Sequence, residues 1–75
     1  MNKSLWNRML DDVLKGNTLT QKFSIRYTDI VEPLMELGWS DNCIEWSYIY
    51  NSGVMLSVIS CYDGFELTMK KINLR

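Results

Sequence analysis

Residues 44–74, IEWSYIY (44–50), NSG (51–53), VMLSVISCY (54–62), DG (63–64) and FELTMKKINL (65–74), decide the fold. Three runs rich in β-branched and aromatic residues are separated by two short polar breaks, the pattern of a three-stranded meander. Asp63-Gly64 is the sequence signal of a type I′ hairpin turn. Asn51-Ser52-Gly53 suits a three-residue loop with glycine in the left-handed position. Pairing Tyr50 with Val54 sets Ile44, Trp46 and Tyr48 opposite Ser60, Val58 and Leu56. Pairing Tyr62 with Phe65 sets Leu67 and Met69 opposite Ser60 and Val58. These residues share one face, as a single core requires. The alternation slips at Lys70-Lys71, because Ile72 and Leu74 have the wrong parity, so a bulge or the strand's end is expected there.

The other face reads Glu45, Ser47, Ile49, Met55, Ser57, Ile59, Cys61, Glu66, Thr68 and Lys70. Ile49, Met55 and Ile59 make it more apolar than a fully solvated face. Either a helix or loop covers it, or the middle strand is apolar on both sides, or it is a surface for a partner or a second copy.

Upstream of the meander the hydrophobic period changes twice. Leu5, Trp6, Met9, Leu10, Val13 and Leu14 fall on one helical face, with Ser4 as candidate N-cap and Lys15-Gly16 closing the last turn. From Leu19 the period becomes two, with Phe23, Ile25 and Tyr27 alternating with polar residues, a strand buried on one side. Thr28-Asp29 with Glu32 reads as a capping box for a second helix. Ile30, Val31, Leu34, Met35 and Leu37 carry its apolar face to Gly38, and Pro33 is placed in or just past the first turn. The expected architecture is α+β, with one domain over residues 1–75. Its order is helix (5–14), strand (19–27), helix (29–37), then three strands packed antiparallel on the two helices.

Composition narrows the function. The 75 residues contain no histidine, which removes histidine acid/base chemistry and Ser-His or Cys-His nucleophile pairs. Two cysteines cannot form a disulfide scaffold or a four-cysteine zinc site. The pairing register sets Cys43 opposite Cys61, and two reduced thiols are expected. Gly16, Gly38, Gly53 and Gly64 stand singly at helix ends and turns, so no phosphate-binding loop is encoded. The expectation is therefore no enzyme, with no catalytic residue, metal, cofactor or small-molecule substrate. No segment reads as a secretory signal or a membrane span, so a cytoplasmic location and no membrane contact are expected.

The net charge of −1 conceals a layout. Residues 1–26 hold five bases against two acids, and residues 70–75 hold three bases. Between them, residues 27–69 carry seven acids and no Lys or Arg. Asp29, Glu32 and Glu36 have the spacing of a helical stripe, and the Glu32/Glu36 pair is mildly repulsive. An acidic surface of this kind attracts Lys/Arg-rich sites and steers association. The candidate partner-binding residues are Asp29, Glu32, Glu36, Trp39, Asp41 and Glu45, with Trp39 as aromatic anchor or, alternatively, a core residue at the helix–sheet junction.

The leading expectation is a protein-interaction module that engages a partner protein with a basic surface. Trp46, Tyr48 and Tyr50 have the spacing of a base-stacking platform, but no basic residue accompanies them and they fall on the core face. Nucleic acid is therefore a second reading, carried by Lys70, Lys71, Arg75 and the N-terminal bases. A homo-oligomer through Ile49, Met55 and Ile59 is the third. In size, missing catalytic motifs and clustered acids, the chain is similar in class to small accessory proteins of bacteriophages and mobile elements. Many of these block host factors, anti-CRISPR proteins and DNA-mimicking inhibitors among them.

Overall fold

The computed structural model describes residues 4–72, excluding the side chain of Ser4. The Ser4 cap, Leu74, Lys3 and Arg75 therefore lie outside the described residues and side chains. Two helices and a four-stranded antiparallel sheet follow in the order α1 (Ser4–Leu14), β1 (Leu19–Ser24), α2 (Thr28–Glu36), β2 (Glu45–Tyr50), β3 (Val54–Cys61) and β4 (Gly64–Lys71). The sheet order is β1-β4-β3-β2, so the meander is extended by β1 along β4 and β2 is left at the opposite edge. Among the described residues no helix is long and apolar enough to cross a membrane.

One sheet face holds the core. Val54, Leu56, Val58, Phe65, Leu67 and Met69 are buried beneath Trp6, Met9, Leu10 and Val13 of α1 and Ile30, Pro33 and Leu34 of α2. Leu14 and Met35, expected on the helices' apolar faces, are about half exposed because they fall at the edges of those stripes. Lys71 Nζ donates to the Leu14 carbonyl at 3.0 Å, placing a cation on the carbonyl end of α1. Phe65 is the aromatic hub, with ring centroids 5.8 Å from Phe23 and 4.9 Å from Trp39.

The β2–β3 register agrees with the expectation, pairing Tyr50 with Val54 and Trp46 with Val58. The β3–β4 register does not. Cys61 pairs with Gly64 and Ser60 with Phe65, a shift of two residues that preserves the faces but moves the turn to Tyr62-Asp63. Neither turn residue has positive φ, so this is no type I′ turn. Positive φ occurs instead at Asn51 and Ser52, not at Gly53, and the Gly53 N–H closes that turn on the Tyr50 carbonyl at 3.1 Å. β4 pairs regularly to Lys71 and ends there without a bulge.

β1 stops at Ser24, where a turn closed by Tyr27 N–H on the Ser24 carbonyl leaves Ile25 and Tyr27 exposed. The expected capping box is absent. The N-cap of α2 is Tyr27 with no side-chain hydrogen bond, while Asp29 sits in the first turn, where its charge suits the dipole. Pro33 lies in the second turn, buried, and withholds the bond that Asp29's carbonyl would otherwise receive.

The C-terminus of α2 is a Schellman motif. Trp39 N–H donates to the Leu34 carbonyl at 3.0 Å and Gly38 N–H to the Met35 carbonyl at 3.1 Å, with Gly38 at φ +113°. Gly38→Ala is expected to cost about 1–2 kcal/mol by forcing an L side chain into the left-handed region. Gly38→Asn should cost less, and urea unfolding of the two variants checks the ordering.

Candidate functional site

The acids expected to form one surface are divided by the sheet. Asp29, Glu32 and Glu36 ride on α2, with Asp29 partly buried and the two glutamates exposed. Glu45 belongs to the opposite layer. Its register neighbours are Ile59, then Glu66 and Lys22, on the face away from the helices. Trp39 is only 3% exposed, packed on Phe65, so its role is that of the core residue at the helix–sheet junction and no aromatic anchor protrudes there. Its indole Nε1 is buried without a hydrogen-bond partner among the described residues.

Asp41 acquires a different neighbour. The chain leaving the Schellman motif is tied to β3, because Ser60 N–H donates to the Ile44 carbonyl and Ser60 Oγ–H donates to the Cys43 carbonyl. This fastening brings Asp41 to the end of the sheet where β3 turns into β4. There Asp41 and Asp63 line a common cavity of about 210 Å³ with Trp39, Ser60 and Tyr62. Among the described residues no Lys or Arg lines it. Asp63 is the member that the sequence reading left out. Its only signal is a place in the acidic run, because what brings it to the same cavity as Asp41 is the fold and not the spacing in the sequence.

Among the described residues, Glu32, Asp41, Glu45, Asp63 and Glu66 form no ion pair, whereas Lys15 pairs with Asp11 on α1 at 3.2 Å. Cys43 and Cys61 are free and half-buried. Cys43 Sγ lies 3.7 Å from Ser40 Oγ, and Cys61 Sγ lies 3.7 Å from its own strand's Ile59 carbonyl. No group of three or more His, Cys, Asp or Glu is placed to hold a metal ion among the described residues.

The face of the sheet turned away from the helices is open. Glu45, Ser47, Ile49, Met55, Ser57, Ile59, Cys61, Glu66, Thr68 and Lys70 are all half-buried or exposed, so among the described residues no helix or loop covers it. Thr20, Thr68, Ser57 and Ser47 form a hydroxyl row across all four strands, with Ile59 on one side of it and Met55 and Ile49 on the other.

The aromatic trio of β2 occupies the helix-side face, as its parity requires, but β2 lies at the sheet's edge beyond full helical cover. Tyr50 meets Trp6 edge-on at 6.2 Å, whereas Trp46 and Tyr48 stack on each other at 5.7 Å and 13°. Tyr48 is 39% exposed and Ile44, expected in the core, 81% exposed. Of the bases invoked for nucleic acid, Lys70 is exposed on the open face and Lys71 is committed to α1.

Compared with family models, with curated proteins and with solved structures, the chain matches none.

Proposed function

We propose that this chain is a small non-catalytic interaction module, an inhibitor or adaptor that offers acidic side chains to a basic site on a partner protein. A partner site that normally holds nucleic acid fits best, since such sites present Lys and Arg to phosphates. The role is that of the small proteins phages use against host defence factors such as CRISPR effectors, and the chain's size and charge layout suit it. The observation that supports the reading most is the cavity that Asp41 and Asp63 both line, with no base among the described residues of its lining. Carboxylates left without an ion pair at a concave surface are able to accept hydrogen bonds from an incoming Lys or Arg. Glu32, exposed on α2, adds a further carboxylate able to attract a basic partner.

Charge reversal tests the proposal. Tagged protein and the variants Asp41→Lys/Asp63→Lys and Glu32→Lys/Glu36→Lys are used for capture from lysate with mass-spectrometric identification. Binding to the recovered partner is then titrated against salt. The Asp41/Asp63 variant is expected to lose at least about tenfold in affinity, a cost of ~1.4 kcal/mol or more. Unchanged affinity in a folded variant sinks the reading. A low-salt gel shift of single-stranded or duplex DNA by the wild-type protein would favour the basic-terminus alternative instead.

A further inference from the structure

We propose that the free edge of β2 is the docking site for a second copy of this chain, the two β2 strands pairing antiparallel about Ser47. The two edges of the sheet are built differently. Along β1, Thr20, Gln21 and Lys22 are exposed, and a lysine on an edge strand discourages further strand addition. Along β2 there is no Lys, Pro or bulge, and beside Glu45 and Ser47 the strand and the residue before it expose apolar side chains on both faces. Ile44 (81% exposed) and Tyr48 lie on the helix side, and Ile49 (44%) lies on the open side. A helix or small ligand would cover one face only. A strand laid alongside covers both.

The backbone is prepared for that addition. Ser60 N–H donates to the Ile44 carbonyl, so the even-numbered residues of β2 direct their polar groups to β3. By the alternation of an antiparallel ladder, Glu45, Ser47 and Ile49 turn their N–H and C=O groups outward.

A second copy is favoured over an unrelated strand because the segment is complementary to itself. With Ser47 on the two-fold axis, Trp46 faces the partner's Tyr48, and Tyr48 faces the partner's Trp46. Both pairs fall at non-hydrogen-bonded positions, where side chains approach most closely, so each stacked Trp46–Tyr48 pair is covered by its symmetry mate. Ile44 meets the partner's Tyr50. Glu45 faces the partner's Ile49 rather than the partner's Glu45, which keeps like charges apart. On the open face this continues the row of Glu45, Ile59 and Glu66 into the partner's row of Ile49, Met55 and Lys70, which sets Glu45 on the side of a base. Isologous pairing of this kind closes as a dimer with a continuous eight-stranded sheet and only the guarded β1 edges free.

Sedimentation or light scattering over a concentration series tests it, with wild type compared with Ser47→Lys and Ser47→Pro. The wild type is expected to rise toward twice 8.8 kDa. Ser47→Lys sets two cations opposite each other across the axis and should stay monomeric. Ser47→Pro removes only an outward N–H, leaves the β3 ladder intact, and should also stay monomeric. In a Cys43→Ser/Cys61→Ser background, Ser47→Cys should form an intermolecular disulfide with oxidised glutathione, since Cα atoms at such a pair are about 5.5 Å apart. A wild type that stays at 8.8 kDa at its highest attainable concentration overturns the proposal. So does a dimer that survives Ser47→Lys unchanged, because it would place the contact on another surface.

Discussion

Phe65→Ala is expected to bring the domain close to unfolding. The ring is 1% exposed and joins three parts of the core, stacking near Phe23 of β1 and Trp39 beyond α2 while its strand lies between β1 and β3. Removing a buried phenyl ring costs about 3–5 kcal/mol through lost transfer energy and the cavity left behind. A chain of 75 residues has a total stability of roughly 4–11 kcal/mol at about 0.05–0.15 kcal/mol per residue. The substitution therefore removes from about a quarter to all of it. Thermal unfolding followed by circular dichroism should show Tm falling by roughly 12–40 °C, or no cooperative transition at all. Ile59→Ala is the matched control. Ile59 is 46% exposed on the open sheet face, and its truncation should change stability by no more than about 0.5 kcal/mol. Equal losses for the two variants would mean that the core is not centred on Phe65.

What the sequence makes legible follows from range. Alternation along residues 54–60 and the helical spacing of Trp6, Met9, Leu10 and Val13 are local patterns, and both elements and buried faces agree with them. The pairing of β1 with β4 joins residues 40 to 50 positions apart and leaves no local trace. The exposure of Ile44 and Tyr48 has the same origin. Parity assigns them to the core face, but only the strand order reveals that β2 lies at an edge. The acids show the matter most clearly. Glu45 follows Asp41 by four residues, yet one alternation of the pleat sends it to the layer opposite α2, while Asp63, distant in sequence, becomes Asp41's companion. Linear charge density predicted an acidic protein region. It could not predict which carboxylates converge.

Gly64 joins both lines of reasoning and carries the last prediction. In the sequence it looks like the second residue of an Asp-Gly type I′ turn, present for its left-handed backbone. In the structure it is the first residue of β4, paired with both Cys61 and Ser24, and its φ is not positive. What requires glycine is the approach of β1. A Cβ at position 64 would lie 2.2 Å from the Phe23 carbonyl oxygen and 3.2 Å from the Ser24 Cα, both backbone atoms that cannot swing aside. Gly64→Ala must therefore push β1 away from β4 at the very place where Phe23 packs on Phe65. Overpacking of this kind costs about 1–3 kcal/mol, and separation of two strands places the expected loss at or above the upper end. Hydrogen exchange should show it as lost protection of amides in the Lys22–Ser24 end of β1, with β2 and β3 retained longer. The choice of substituent separates the two explanations. If a left-handed φ were the requirement, Gly64→Asn would recover stability relative to Gly64→Ala, as expected at Gly38. Because the requirement is space against a neighbouring backbone, Gly64→Asn should be as destabilising as Gly64→Ala or worse, and recovery by asparagine would refute the close approach of β1.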